Sequence, residues 1–176
     1  MMETQEVAFP KPLFLRIPIS RLILVSILSF SLYEAYWMYK NWRYIKERDG
    51  LAIRPFWRGV FGIFFCHSLL RRIDEDTEAR SVGLPTFPAG QLATGWVVLI
   101  VISNLVSRVP GVASSVISAF IPSFLCFVPV QKYVNSVEER RLPNQKPYGW
   151  SAGQILCVVI GVAIWALLLI GWSPEA

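Results

Sequence analysis

Glu34 is the side chain whose type and position most directly suggest chemistry. It lies in an apolar block that begins near Leu22, and an acidic residue near the end of a membrane helix is a functional candidate. Met38 and Asn41 follow it at helical spacing, so its own helix face supplies no cation. A structural position, hydrated or ion-paired at the membrane boundary, is the alternative. The residues that could reach it from elsewhere as partners are Arg58, Arg71 and His67.

Six aromatic rings lie between positions 33 and 44, and basic residues follow them. Such rings are typical of the belt that anchors a protein at the membrane–water interface, and the basic residues suit anionic lipid headgroups. A cage for an ammonium group is the alternative, because aromatic faces attract cations. The candidate functional residues of the whole sequence are Glu34, Trp37, Lys40, Asn41, Trp42, Arg43, Pro55, Trp57, Arg58, His67 and Lys132.

The sequence offers no pattern for a metal, a cofactor or an activated nucleophile. His67 is its one histidine, and the neighbouring Cys66 would point about 100° away on a helix, so the two do not form a zinc pair. The three cysteines lie in apolar runs without C-x-x-C spacing, which favours buried apolar positions. The acidic run at 74–78 lacks the glycine and the final glutamate of a calcium loop, and flanking arginines predict that it is self-neutralised. We therefore predict no metal, no cofactor and no identifiable enzymatic site.

Composition favours a membrane protein over a soluble one. Of the 176 residues, 54% are hydrophobic and 16% are charged, the mean hydropathy is +0.47, and the apolar residues form long blocks. The net charge of +5 could indicate nucleic acid, but the basic residues lie beside apolar blocks, so a role in membrane orientation is preferred and no nucleic-acid partner is expected. The first block lacks a small-residue cleavage site and is predicted to be an uncleaved signal-anchor.

Four apolar blocks approach the roughly 20 residues that a spanning helix needs. The predicted fold is an all-α, polytopic integral membrane protein with one membrane domain over residues 1–176. A further block at 56–70 has only twelve residues between Arg58 and Arg71. They reach about 18 Å, which predicts a re-entrant or interfacial helix, with five spans as the alternative. The four predicted spans are residues 22–39, 92–109, 112–130 and 155–172.

Charge counting favours four spans over five. With four spans, thirteen of the 17 Lys and Arg residues lie on one face, whereas five spans divide them ten against seven. The positive-inside rule therefore predicts four spans, both termini outside and the basic loops in the cytoplasm. This arrangement requires Lys11, Arg16 and Arg21 to be translocated.

A weak internal repeat agrees with this topology. A shift of 92 residues aligns Lys40–Phe56 with Lys132–Tyr148, with four identities in seventeen positions. Each copy is interpreted as a spanning helix with a basic extension, a proline-ended loop and an aromatic-led helix. The repeat predicts that both loops lie on the same side, or on opposite sides as in inverted-repeat transporters; the four-span arrangement places both inside.

Four segments carry a resemblance to known proteins, namely "YEAYWMYKNWRYIKER", "IRPFWRGVFGIFF", "VPVQKYVN" and "IGVAIWALLLIG". They resemble a group of small multi-pass bacterial membrane proteins of uncharacterised function. In that group a YW-x-YKNW segment follows the first span and a P-F-W segment follows the basic loop. The resemblance covers the chain from about Leu32 onward. It implies location and architecture, and it brings no activity and no catalytic residues.

Together these patterns predict a multi-pass protein of a bacterial inner membrane with a structural, interaction or accessory role. Its contact surface would be the basic cytoplasmic layer at residues 40–58 and 132–146. The expected contacts are anionic lipid headgroups, an unknown protein partner or a second copy of the chain. A small oligomeric transporter or channel is the alternative function.

Overall fold

The described part of the chain is all-helical. A computed structural model describes residues 11–111, 114, 117, 118, 121–144 and 146–171, with no strand among them, so the all-α prediction is confirmed for these residues. A 3₁₀ helix, η1 (Ser123–Cys126), follows the sixth described α-helix. The α-helices are α1 (Ile19–Leu28), α2 (Leu32–Asp49), α3 (Pro55–Val60), α4 (Gly62–Asp74), α5 (Thr77–Arg80), α6 (Ala89–Ser107), α7 (Phe127–Arg141) and α8 (Ala152–Gly171).

The first apolar block folds into a hairpin of two helices. Phe30 and Ser31 follow α1 with φ angles of 49° and 62°, a left-handed conformation that cannot continue a right-handed helix. The Ser31 N–H donates to the Ser26 carbonyl oxygen at 3.0 Å, which satisfies a carbonyl at the end of α1. Ser29 Oγ then accepts from the Tyr33 N–H at 3.0 Å and caps the start of α2. The predicted continuous helix over 22–39 is therefore wrong.

Contacts to Tyr148 show that the outer ends of this hairpin lie together. Arg21, near the start of α1, donates to the Tyr148 carbonyl oxygen, and Lys40, midway along α2, lies 4.9 Å from the centroid of the Tyr148 ring. The turn of the hairpin lies deeper, where a Cβ on Gly161 of α8 would collide with Leu28. The chain thus enters along α1 and returns along α2.

Helices α3 and α4 form a second hairpin against α2. The start of α3 shares a shallow cleft with Arg43, near the outer end of α2. Gly59 lies deeper, where a Cβ would come within 2.7 Å of the Ala35 carbonyl oxygen, so glycine permits this close approach. Near the end of α4, Arg72 reaches Asp49, the last residue of α2, at 3.2 Å. The single helix predicted near 56–70 is therefore two helices that enter and leave at the same end of α2.

Helix α6 alone, within the described residues, is long and apolar enough to cross a membrane. It has 19 residues, whereas two further apolar helical stretches, Ile19–Leu28 and Ala152–Leu167, are shorter. After α6 the chain turns at Gly111, whose φ of 122° suits glycine, and runs back: Ser103 Oγ donates to the Ser118 carbonyl oxygen at 2.9 Å. Four spanning helices were expected, but among the described residues one helix, α6, meets these criteria.

The other predicted spans agree with the structure to different degrees. The predicted spans at 92–109 and 155–172 coincide largely with α6 (Ala89–Ser107) and α8 (Ala152–Gly171). The block at 112–130 is not one helix, because η1 and the start of α7 divide its second half. Pro122 directly precedes η1, and its ring and missing N–H explain the interruption. Residues 112, 113, 115, 116, 119 and 120 lie outside the described residues.

The aligned copies of the internal repeat both run from a helix into a loop, but only the first copy reaches a following helix. The first contains the end of α2, a loop and the start of α3, and the second contains most of α7 and the proline-containing loop that leads to α8. Ser31 and Ser123, which are 92 residues apart, lie with their hydroxyl oxygens 3.2 Å apart.

Residues 11–18, here called the N-terminal strap, lie between α2 and α7 without regular secondary structure. Leu13, Phe14, Leu15 and Ile17 are at most 1% exposed and belong to the hydrophobic core. The Tyr148 N–H donates to the Arg16 carbonyl oxygen at 2.9 Å. The strap is therefore an integral part of the packed structure.

The two hairpins and the strap gather the positive charge at one end, here called the basic end. It comprises the strap, the start of α1, the outer parts of α2, α3 and α4, α5, α7 and the segment 146–150. Of the 17 Lys and Arg residues, only Arg108, at the turn after α6, lies away from it. Large exposed apolar side chains lie on α6, at Ile117 and on α8, among them Leu105 (60%), Ile117 (59%) and Leu167 (69%).

Candidate functional site

Glu34 lies in the first turn of α2, 2% exposed, at the point where the first hairpin, α6 and η1 meet. Its Oε2 accepts a hydrogen bond from Trp96 Nε1, and its Oε1 accepts one from Ser123 Oγ at 2.7 Å. Neither Arg58, Arg71 nor His67, the partners expected from the sequence, contacts it in the described structure. Both carboxylate oxygens are thus satisfied by neutral donors, which makes Glu34 a link between three elements.

Asn41, the second polar candidate on α2, binds the backbone of the N-terminal strap. Its Oδ1 accepts from the Leu15 N–H at 3.1 Å. Glu138 of α7 does the same for the two preceding amides, because its Oε1 accepts from the Leu13 N–H at 2.7 Å and from the Phe14 N–H at 3.0 Å. Burial raises the pKa of Glu138, although these two N–H donors lower it.

The strap carbonyls are held from the same side by α7. Gln131 Nε2 donates to the Leu15 carbonyl oxygen at 2.9 Å, and Asn135 Nδ2 donates to that of Ile17 at 2.8 Å. Trp37 Nε1, another candidate, donates to Gln131 Oε1 at 2.6 Å. Trp37 and Asn41 therefore have structural partners in the core, which sequence reasoning did not identify.

An open cavity of about 660 Å³, here called the arginine cleft, lies between α2, α4 and the acidic turn that precedes α5. Candidates Trp42 and Arg58 meet there: the Arg58 guanidinium carbon lies 4.3 Å from the Trp42 ring centroid and 5.1 Å from that of Phe65. Four carboxylates, from residues 49, 75, 76 and 78, also line the cleft. Its basic and hydrogen-bonding side chains are Arg48, Arg58, Arg71, Arg72, Trp42 and Ser68.

Most carboxylates of the cleft already have cationic partners. Arg48 reaches Asp49 at 2.6 Å and Asp76 at 2.7 Å, and Arg141 pairs with Glu78. The hydrogen bond from Arg48 holds the pKa of Asp49 below its ordinary value, against a smaller opposing effect of burial. The acidic run at 74–78 was predicted to be neutralised by the arginines that flank it. Two of its carboxylates pair instead with arginines from other helices, Arg48 of α2 and Arg141 of α7.

The remaining candidates lie outside the cleft, and all of them except Lys40, which is 9% exposed, are exposed or half-buried. Arg43 pairs with Glu47 at 2.6 Å in an exposed contact, and Lys132 is exposed. Trp57 is 49% exposed on α3, which begins at Pro55, and Lys40 contacts the rings of Tyr36 and Tyr148. His67 Nε2 lies 3.0 Å from Thr94 Oγ1. The candidates therefore belong to several places and do not form one site.

Sequence reasoning missed the residues that complete these clusters. Gln131, Asn135 and Glu138 are spaced i, i+4 and i+7, so a polar stripe on one face of α7 was visible in the sequence. Trp96 and Ser123 gave no local signal. Among the described residues, no group of three or more His, Cys, Asp or Glu side chains could hold a metal ion.

Comparison of the chain with protein-family models, with curated proteins and with solved structures finds no match in any of the three.

Proposed function

We propose that this chain is a multi-pass protein of the bacterial inner membrane with a structural or accessory role, and that its basic end contacts the anionic headgroups of the cytoplasmic leaflet. The observation that carries the proposal is the separation of charge: only Arg108 of the 17 basic residues lies away from the basic end. Such asymmetry orients membrane proteins with the positive side inside. The resemblance to small multi-pass bacterial proteins belongs to the same proposal.

The exposed apolar helices support insertion in a bilayer. In α6, 17% of the apolar window is fully buried within the chain, and Val98, Val101, Ile102 and Leu105 are between 42% and 60% exposed. Val159 and Leu167 of α8 are 59% and 69% exposed. Apolar surface of this extent is unfavourable in water and is satisfied by lipid.

The two hairpins change the proposed number of crossings. Four crossings would require the chain to continue in one direction through residues 22–39, but α1 and α2 reverse there. We propose three crossings, one in α6, one between the turn at Gly111 and η1, and one in α8, with α1–α2 and α3–α4 as re-entrant hairpins. The N-terminal strap is then cytoplasmic, so Lys11, Arg16 and Arg21 need no translocation.

Sidedness of single cysteines tests this topology. In a background with Cys66→Ala, Cys126→Ala and Cys157→Ala, a cysteine is introduced by Lys11→Cys, Gly50→Cys, Asn144→Cys or Arg108→Cys. A membrane-impermeant maleimide added to intact cells should label only the Arg108→Cys protein, and the other three should require permeabilised membranes. Labelling of Lys11→Cys in intact cells would restore the four-crossing topology. Release of the whole protein by carbonate extraction would refute membrane insertion.

A structural or accessory role is preferred to a transporter because the buried polar groups are hydrogen-bonded to other parts of the fold. Glu34, Asn41 and Gln131 are at most 2% exposed, and each is hydrogen-bonded to neighbouring helices or to the strap. A transport path needs polar groups that face a passage or exchange partners. These groups instead hold elements of the fold together.

A further inference from the structure

We propose that the arginine cleft binds the phosphate group of an anionic phospholipid, with Arg58 and Arg71 as its main donors. The inference rests on the proposed function, because a lipid headgroup reaches the cleft only if the basic end lies against the membrane. It adds a defined binding site to what is otherwise a general attraction between basic residues and an anionic surface.

The cleft contains arginines that have no carboxylate partner among the described residues. Asp49 and Asp76 are engaged by Arg48, and Glu78 is engaged by Arg141. Within the described structure, Arg58 and Arg71 have no carboxylate within ion-pair distance, and Glu75 is the one carboxylate of the cleft without a cationic partner. A group with negative charge and several acceptor oxygens fits this imbalance.

Arg58 is held in place for such a contact. Its guanidinium packs against the rings of Trp42 and Phe65, which fixes its plane and leaves its N–H donors for an acceptor at the edge. Trp42 is 1% exposed, and its Nε1 has no hydrogen-bond partner among the described residues. A buried N–H without a partner is costly, and Trp42 lines the cleft, so an acceptor that reaches this N–H would satisfy an existing demand.

The surface beside the cleft favours a lipid over free phosphate. Phe56, Trp57, Phe61 and Phe64 on the α3–α4 hairpin are between 48% and 76% exposed. Of these rings, Phe64 lines a neighbouring cavity together with Ser68 and Arg71, so an exposed apolar side chain adjoins the arginine cleft. Acyl chains can pack on these rings while the phosphate binds the arginines, whereas a free phosphate would use only the cleft.

Binding is measured on the full-length protein in dodecyl maltoside, with fluorescent dioleoyl-phosphatidylglycerol as the probe and dioleoyl-phosphatidylcholine and inorganic phosphate as competitors. Arg58→Gln with Arg71→Gln should weaken phosphatidylglycerol binding roughly 10–30-fold, because two cations are lost. The matched control, Lys46→Gln with Arg54→Gln, removes two exposed cations of the basic end outside the cleft and should change binding less than about twofold. Arg58→Lys with Arg71→Lys keeps the charge and should retain part of the affinity, which tests the site independently of any effect of the glutamines on folding.

Three results would overturn the proposal. Equal binding by the cleft variant and its control would show that the contact is diffuse. Equal competition by phosphatidylcholine would show that the cleft does not distinguish an anionic headgroup from a zwitterionic one. Competition by inorganic phosphate at the concentration effective for phosphatidylglycerol would assign the cleft to a soluble phosphate compound. Each result can arise in a protein that resists carbonate extraction and shows the proposed sidedness, so failure of the cleft is distinct from failure of the proposed function.

Discussion

Glu138 provides the sharpest test of how the N-terminal strap is held. Its Oε1 accepts the N–H groups of Leu13 and Phe14, and all three residues are at most 1% exposed. Glu138→Ala removes the acceptor and leaves two amide donors buried without partners. Glu138→Gln keeps an oxygen in the same place, and Glu139→Ala changes a neighbouring exposed residue as the control.

The expected loss follows from the number of donors. Each unsatisfied buried N–H costs about 1–3 kcal/mol, so Glu138→Ala should destabilise the protein by roughly 2–5 kcal/mol. At about 2–4 °C per kcal/mol for a chain of this size, the melting temperature should fall by about 4–20 °C. Glu138→Gln should stay within about 1 kcal/mol of the parent, because it retains the two hydrogen bonds, and the loss of the long 3.9 Å ion pair with Arg141 is offset by removal of a charge whose burial is unfavourable.

Trypsin cleavage after Arg16 reports directly on release of the strap. Since each 1.4 kcal/mol changes an equilibrium tenfold, cleavage of the Glu138→Ala protein should be faster by at least about tenfold. The rate is measured by mass spectrometry as the loss of the intact chain. The reasoning is refuted if Glu138→Ala and Glu139→Ala proteins melt together and are cleaved after Arg16 at the same rate.

Two further changes test other contacts. Gly161→Ala should force α8 away from the end of α1, because the added Cβ collides with Leu28, and should lower stability by about 1–3 kcal/mol in thermal melts; Gly90→Ala, where no atom lies within 4 Å of the new Cβ, should be neutral or slightly stabilising. Asp49→Asn tests the ion pair with Arg48: since the folded-state pKa of Asp49 lies below its ordinary value, the pair stabilises the protein above about pH 4 and loses this effect as the pH falls through the folded-state pKa. The melting temperatures of parent and variant should therefore converge below about pH 4, and a constant difference down to pH 2 would contradict the assignment.

Local pattern in the sequence predicted where most helices lie. Long apolar runs indicated α6 and α8 to within a few residues, because burial or lipid exposure requires such runs in either case. The break after α1 was harder to see, since a hydropathy window averages across Ser29, Phe30 and Ser31. Ser31 and Glu34 nevertheless form an S-x-x-E pattern, which often marks a helix start and could have divided the first block.

Contacts between distant positions could not be predicted from pattern. The Leu13 N–H donates a hydrogen bond to Glu138, which is 125 residues away in the sequence, and Trp96 donates one to Glu34, which is 62 residues away. Nothing in the local spacing of these residues indicates their partners, which depend on how the hairpins pack. The same holds for the arginine cleft, whose basic side chains come from α2, α3 and α4 together.

The two hairpins also give the molecule a taper. At the level of Tyr148 and Lys40, the cross-section contains α1, α2, α3, α4 and α7, whereas among the described helices α6 and α8 continue past the hairpin turn at 29–31. In the proposed orientation, this shape would displace more lipid from the cytoplasmic leaflet than from the outer one. An area difference of that kind couples the protein to membrane curvature, so its energy is lowest where the cytoplasmic surface is convex.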